Sequence, residues 1–121
     1  MSYDIYLKNI DGSTCETENH TEGGTFVLGG TPTCELNVTY NYSQIFRVIS
    51  LKSWEGIFSF RDLTDKTGKE TLEVLEEIVE LLGTKQYKDY WAPTPGNVGY
   101  AANILLEWAK EHPNATWEVH A

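Results

Sequence analysis

Residues 3–10 alternate apolar with polar side chains and are rich in Tyr and Ile, the period-two pattern of a β-strand. Asp11-Gly12 follows as a hairpin turn, because a tight turn needs a residue that tolerates positive φ, and residues 13–18 then read as a returning strand. Asn19 to Gly24 is polar and loop-like, and Thr25 to Leu28 reads as a short strand between the pairs Gly23-Gly24 and Gly29-Gly30. Cys34 to Tyr42 alternates again, with Leu36, Val38, Tyr40 and Tyr42 against Glu35, Asn37, Thr39 and Asn41. Ser43 is placed to cap a helix running to about Leu51, with Ile45, Phe46 and Ile49 on one face.

Residues 52–66 have no period, and Trp54, Ile57, Phe58 and Phe60 are expected to anchor this connection to the core. Thr67 and Glu70 have the spacing of a capping box, in which each side chain takes up the other residue's free backbone N–H. The helix it opens carries Leu72, Leu75, Ile78, Val79 and Leu82, and Gly83 supplies its stop. Tyr87 to Pro93 is an aromatic loop. Thr94 followed by Pro95 marks a second helix start, and the helix runs through Ala101, Ile104, Leu105 and Trp108 to His112, where Pro113 ends it. Trp117-Glu118-Val119 reads as a last short strand. The expectation is an α+β fold, a small antiparallel sheet of four or five strands packed with about three helices. It forms one domain over residues 1–121, with no repeat or linker to divide it.

Composition agrees with a packed domain: 121 residues, 40% hydrophobic and 22% charged. The net charge of −9 changes the functional picture. Such a surface repels phosphate backbones and anionic lipids, so direct nucleic-acid or membrane binding is not expected, whereas a basic protein surface is attracted. The plain alternative is acidity for solubility. Met1 leads straight into Tyr3-Asp4-Ile5-Tyr6-Leu7 without a basic start or long apolar run, so neither a secretory signal nor a membrane span is expected. The sequons at Asn37, Asn41 and Asn114 then read as turn and strand chemistry. Cys15 and Cys34 are expected as small buried side chains, or alternatively as a bridge between neighbouring strands.

Catalytic signatures are missing from the sequence. The glycine pairs lack the lysine and helix of a phosphate-binding loop and read as turns. His20, His112 and His120 stand far apart in no metal-binding spacing, so no metal or cofactor is expected. There is no nucleophile elbow, and neither cysteine has a neighbouring histidine. A non-enzymatic protein is the expectation.

Two constellations remain. Glu70, Glu73, Glu77 and Glu80 recur at helical spacing and stack carboxylates on one face, with Glu76 nearby. This is either a solvated face or a partner-binding surface that imitates a phosphate backbone. The second is polar and aromatic: Asn37, Thr39, Tyr40, Asn41, Tyr42 and Ser43 in one segment, Asp89, Tyr90, Trp91, Thr94 and Asn97 in another. If the two meet, Tyr40, Asn41, Tyr90, Trp91, Thr94 and Asn97 line a pocket for a small polar ligand such as a nucleotide, at a helix N-terminus that favours an anion. Otherwise they are aromatic core with satisfied caps.

An ordered series of segments resembles a family of small proteins encoded by bacteriophages and prophages. It comprises Tyr3-Asp4-Ile5-Tyr6-Leu7, Gly23-Gly24-Thr25-Phe26, Gly29-Gly30-Thr31, Leu36-Asn37-Val38-Thr39-Tyr40-Asn41-Tyr42-Ser43, Asp89-Tyr90-Trp91, Pro93-Thr94 and Gly96-Asn97. It departs at Pro95, where the family has an acidic residue, and in the tail Trp117-Glu118-Val119-His120-Ala121, where the family ends Asp-rich. The resemblance implies phage origin and expression in the cytoplasm of a bacterial host. By analogy with other small acidic phage proteins, it suggests an accessory factor that inhibits a host defence system by binding. The partner would be a basic host protein such as a CRISPR effector, or a nucleotide signal would be sequestered. A minor virion or assembly protein is the alternative.

Overall fold

The computed structural model describes residues 1–17 and 32–121. The alternating segment at the start forms β1 (Ser2–Lys8), whose Tyr3, Ile5 and Leu7 point inward and are buried. β2 (Glu35–Thr39) and β3 (Thr116–His120) flank it, giving a sheet of order β2-β1-β3 with both pairs antiparallel. The register sets Ile5 opposite Leu36 on one side and Val119 on the other, so the apolar positions of all strands fall on one face. Asn37, in a sequon, does strand chemistry: its amide donates to Ser2 Oγ at 2.7 Å and Asp4 Oδ1 at 2.8 Å.

The described residues hold three strands rather than four or five. The Asp11-Gly12 turn forms, with Gly12 at φ 89°. Residues 13–17 do not build a strand on it, because β1 already has a partner along each edge. They make only isolated bridges, Lys8 to Thr14 and Glu16 to Thr33. The expected strand at Thr25–Leu28, both glycine pairs and His20 lie outside the described residues.

β2 stops at Thr39 instead of continuing to Tyr42. The Thr39 hydroxyl accepts from Asn41 N at 3.2 Å and turns Tyr40–Tyr42 into a 3-10 helix. α1 follows directly as Ser43–Phe46, so Ser43 lies inside the helical run instead of capping it. The helix ends well before Leu51: Val48 N bonds to Ile45 O at 3.1 Å, the tighter i to i+3 pattern of a closing turn. Phe46 ends the helix pointing into an edge-to-face aromatic group, 5.1 Å from Phe58 and 5.4 Å from Phe60. Trp54 joins it at 5.2 Å from Phe58. These rings anchor the connection as expected, except that Ile57 is 67% exposed.

α2 (Gly68–Leu82) opens on the Thr67/Glu70 capping box and ends at Gly83, φ 73°. It buries Thr71, Val74, Leu75 and Ile78, while Leu72, Val79 and Leu82 flank that stripe partly covered. α3 (Pro95–Glu111) starts at the Thr94 cap with Pro95 first, and buries Val98, Ala101, Ala102, Leu105, Leu106, Trp108 and Ala109. The two helices run antiparallel in close contact and share one core with the inner face of the sheet. Two glycines permit this approach. A Cβ on Gly68 would stand 2.6 Å from His112 O, and one on Gly99 would stand 1.7 Å from Gly83 O. No helix among the described residues is long and apolar enough to cross a membrane.

Sheet and helices are also joined by one buried polar pair. Trp117 Nε1 on β3 donates to Thr71 Oγ1 on α2 at 2.9 Å, and that hydroxyl donates to Gly68 O at 2.9 Å. Thr71→Val keeps the shape but leaves the indole N–H buried without an acceptor. It should lower the unfolding free energy by about 1–3 kcal/mol in urea titration.

Candidate functional site

The four glutamates proposed for partner binding divide by role. Glu70 is the capping carboxylate, accepting from Thr67 N at 2.9 Å and Thr67 Oγ1 at 3.2 Å, and these bonds hold its carboxyl below the usual value. Glu77 reaches across to the next segment, accepting from Lys52 N at 2.6 Å, Ser53 N at 2.8 Å and the Ser53 hydroxyl. It closes the turn at 51–54 onto the helix, and those bonds, that of the Ser53 side chain first, lower its pKa. Glu73 and Glu80 are exposed.

The helix and this turn enclose an open groove of about 490 Å³. Glu73, Glu76, Glu77 and Glu80 line it from α2 together with Leu72, facing Lys52 and Ser53. Glu70 is not among the lining residues; it sits at the helix start, committed to the cap. A smaller adjoining recess of about 330 Å³ adds Leu81, whose side chain is half-exposed. Chemically the groove offers four carboxylates against one ammonium, beside apolar surface from two leucines.

The two polar-aromatic segments do meet. Asn41 Nδ2 donates to Trp91 O at 3.0 Å, and the Tyr42 hydroxyl donates to Tyr90 O. Asn97, fully buried, accepts from Tyr87 N at 2.8 Å through Oδ1 and donates through Nδ2 to Asp89 O and Ala92 O, each at 3.0 Å. Thr94 Oγ1 accepts from Asn97 N at 3.2 Å. Burial pushes the Tyr42 hydroxyl well above its ordinary value, so it stays a donor. Tyr40 packs against Tyr3 at 4.5 Å, and the Tyr90 and Trp91 rings lie 4.7 Å apart. The side-chain amides of Asn41 and Asn97 and the Thr94 hydroxyl are thus engaged by the protein itself, and the segments form a clasp around the 87–92 backbone. Tyr87, 58% exposed, and Trp91, 44% exposed, present their rings to solvent from this loop.

A third grouping had no signal in the residue spacing. Cys34, just before β2, meets Glu111 and His112 at the end of α3, with a sulfur, a carboxylate oxygen and a ring nitrogen all within 4.8 Å of one another. Cys15 and Cys34 are both buried free thiols, as expected of small core side chains, on neighbouring segments where Cys34 N donates to Cys15 O at 2.9 Å.

Two outcomes follow from the polar contacts. The Glu77 pKa is depressed in the folded state, so its contribution to stability is complete above the ordinary value of 4.5 and is lost as pH falls through the lower folded value. Urea midpoints measured across that range should fall less steeply for Glu77→Ala than for the parent. Asn97→Ala strands Tyr87 N and removes one of the two donors to each of Asp89 O and Ala92 O, which keep Ala92 N and Thr94 N; it should cost about 1–3 kcal/mol and should speed tryptic cleavage at Lys88. Comparison with known proteins finds no matching family model, no matching curated protein and no matching solved structure.

Proposed function

We propose that the protein acts by binding rather than catalysis, and that the α2 groove receives a basic segment of a protein partner. The observation that carries this reading is the convergence of Glu73, Glu76, Glu77 and Glu80 on one groove with apolar surface at its side. Lysine and arginine side chains combine an aliphatic stem with a cationic head, which suits a groove of this mixed kind. Glu77 adds preorganisation: its carboxylate is already fixed by the Lys52 and Ser53 bonds, so a cation meets an ordered anion. The net charge of −9 supplies long-range attraction that salt screens.

The resemblance to phage- and prophage-encoded proteins extends the proposal to its setting. In a bacterial cytoplasm the partner is a basic, nucleic-acid-handling effector of a defence system, such as a CRISPR nuclease, which the acidic groove occupies in place of phosphate. The protein is then an inhibitor of that effector.

Capture from a bacterial lysate at low and at high salt tests this reading, with the parent protein beside a Glu73→Lys, Glu76→Lys, Glu80→Lys variant. Glu77 is left intact to keep the turn in place. A basic protein held at low salt and released at high salt is expected, with affinity at least about tenfold weaker for the variant. Equal retention by the variant would refute the groove as the binding surface.

A further inference from the structure

We propose that Cys34, Glu111 and His112 form a binding site for a thiophilic divalent cation of the zinc class. The donors arrive from two rigid directions. Cys34 lies on the chain entering β2, with its N–H bonded to Cys15 O and its carbonyl bonded to Leu7 N at 3.2 Å. Glu111 and His112 end α3, where His112 N bonds to Trp108 O at 2.8 Å. The turn that follows is pinned to the start of α2 by Gly68 N to Ala115 O and Lys69 N to Pro113 O, at 2.9 and 2.8 Å. The ligands therefore sit on fixed backbone, while the exposed Glu111 side chain retains freedom to adjust.

The chemistry of the set selects the ion. Thiolate and imidazole with one carboxylate is a zinc-type combination, whereas an all-oxygen set would favour magnesium or calcium. Zinc bonds of about 2.0–2.3 Å place ligand atoms about 3.3–3.7 Å apart in a tetrahedron, so donors within 4.8 Å need to close by about 1 Å. His112 Nε2 lies 3.0 Å from Glu111 Oε1 and 2.7 Å from the Glu16 carbonyl oxygen, both acceptors, so a cation bound at this nitrogen takes the place of the proton it shares with them. Lys110, the neighbouring cation, is paired with Glu107 at 3.6 Å. The end of α3 adds the negative pole of the helix dipole, which favours a cation.

Charge balances on coordination. The Cys34 thiol proton leaves to solvent as the metal–sulfur bond forms, and the imidazole presents a deprotonated nitrogen. One thiolate and one carboxylate then offset the two positive charges. Glu111 and His112 also line an open recess of about 440 Å³ with Asn9 and Ile10, through which an ion and a water ligand reach the site. Bound there, the ion would fasten the start of β2 to the end of α3.

The test uses untagged, reduced full-length protein and two probes, zinc by calorimetry and cobalt(II) by absorption. One cation per chain is expected, with a thiolate-to-cobalt charge-transfer band and a higher thermal midpoint on zinc addition. His112→Ala and Glu111→Gln lie at the surface and leave the core intact, and each should weaken binding at least tenfold; Cys34→Ser should remove the charge-transfer band. Absence of stoichiometric binding to the parent would overturn the proposal. So would binding that survives both surface substitutions, since the thiols alone would then be the ligands.

Discussion

The position of β1 between two partners constrains the rest of the molecule. A strand has two edges, and here β2 occupies one and β3, from the far end of the chain, occupies the other. The sheet therefore closes only when the last residues return, which the helical hairpin of α2 and α3 makes possible. That hairpin depends in turn on backbone meeting backbone at Gly68 and Gly99, where any side chain would force the helices apart. The Thr71–Trp117 bond then ties the hairpin to the strand it delivers. Sheet order, helix spacing and the buried polar pair are thus one linked arrangement.

A second theme is the use of polar side chains to fasten irregular chain. Glu77 holds the turn at 51–54, Asn97 holds residues 87–92, and Asp62 and Ser59 cap the 3-10 helix at Phe60–Leu63. In each case a carboxylate, amide or hydroxyl supplies the hydrogen-bond partner that regular structure would otherwise provide. The acidic groove exists because one of these fasteners brings the turn against α2. Its electrostatic character and its architecture share a residue.

Legibility in the sequence followed the range of the interaction. The Thr67/Glu70 capping box, Thr94-Pro95, Gly83 and the alternation of β1 act within a few residues, and each was readable. The strand expected at 13–18 does not form over the described residues 13–17, because pairing is decided by which edge is vacant, a property of the whole sheet. α1 was overextended because Ile49 at helical spacing is also compatible with a turn that carries it to the flank of the core. Among the candidate residues, spacing on α2 was enough to bring Glu73, Glu77 and Glu80 to one face. It could not foresee that Glu77 would also meet a backbone from residues 52 and 53. Nor could spacing bring Cys34 beside His112, since 77 intervening residues separate partners that only the closed sheet and the end of α3 set together.

The clasp around residues 87–92 has a consequence for how that surface can change. Asn41, Tyr42 and Asn97 bond to its main-chain atoms, at Tyr87, Asp89, Tyr90, Trp91 and Ala92. Most of the bonds that set its shape come from outside the loop, which adds two of its own, Ala92 N to Asp89 O at 3.1 Å and Trp91 N to Asp89 Oδ1 at 3.0 Å. Tyr87 and Lys88 are therefore displayed on a frame that their side chains do not build. Such a loop is a mount on which new side chains can be tried without remaking the backbone beneath them.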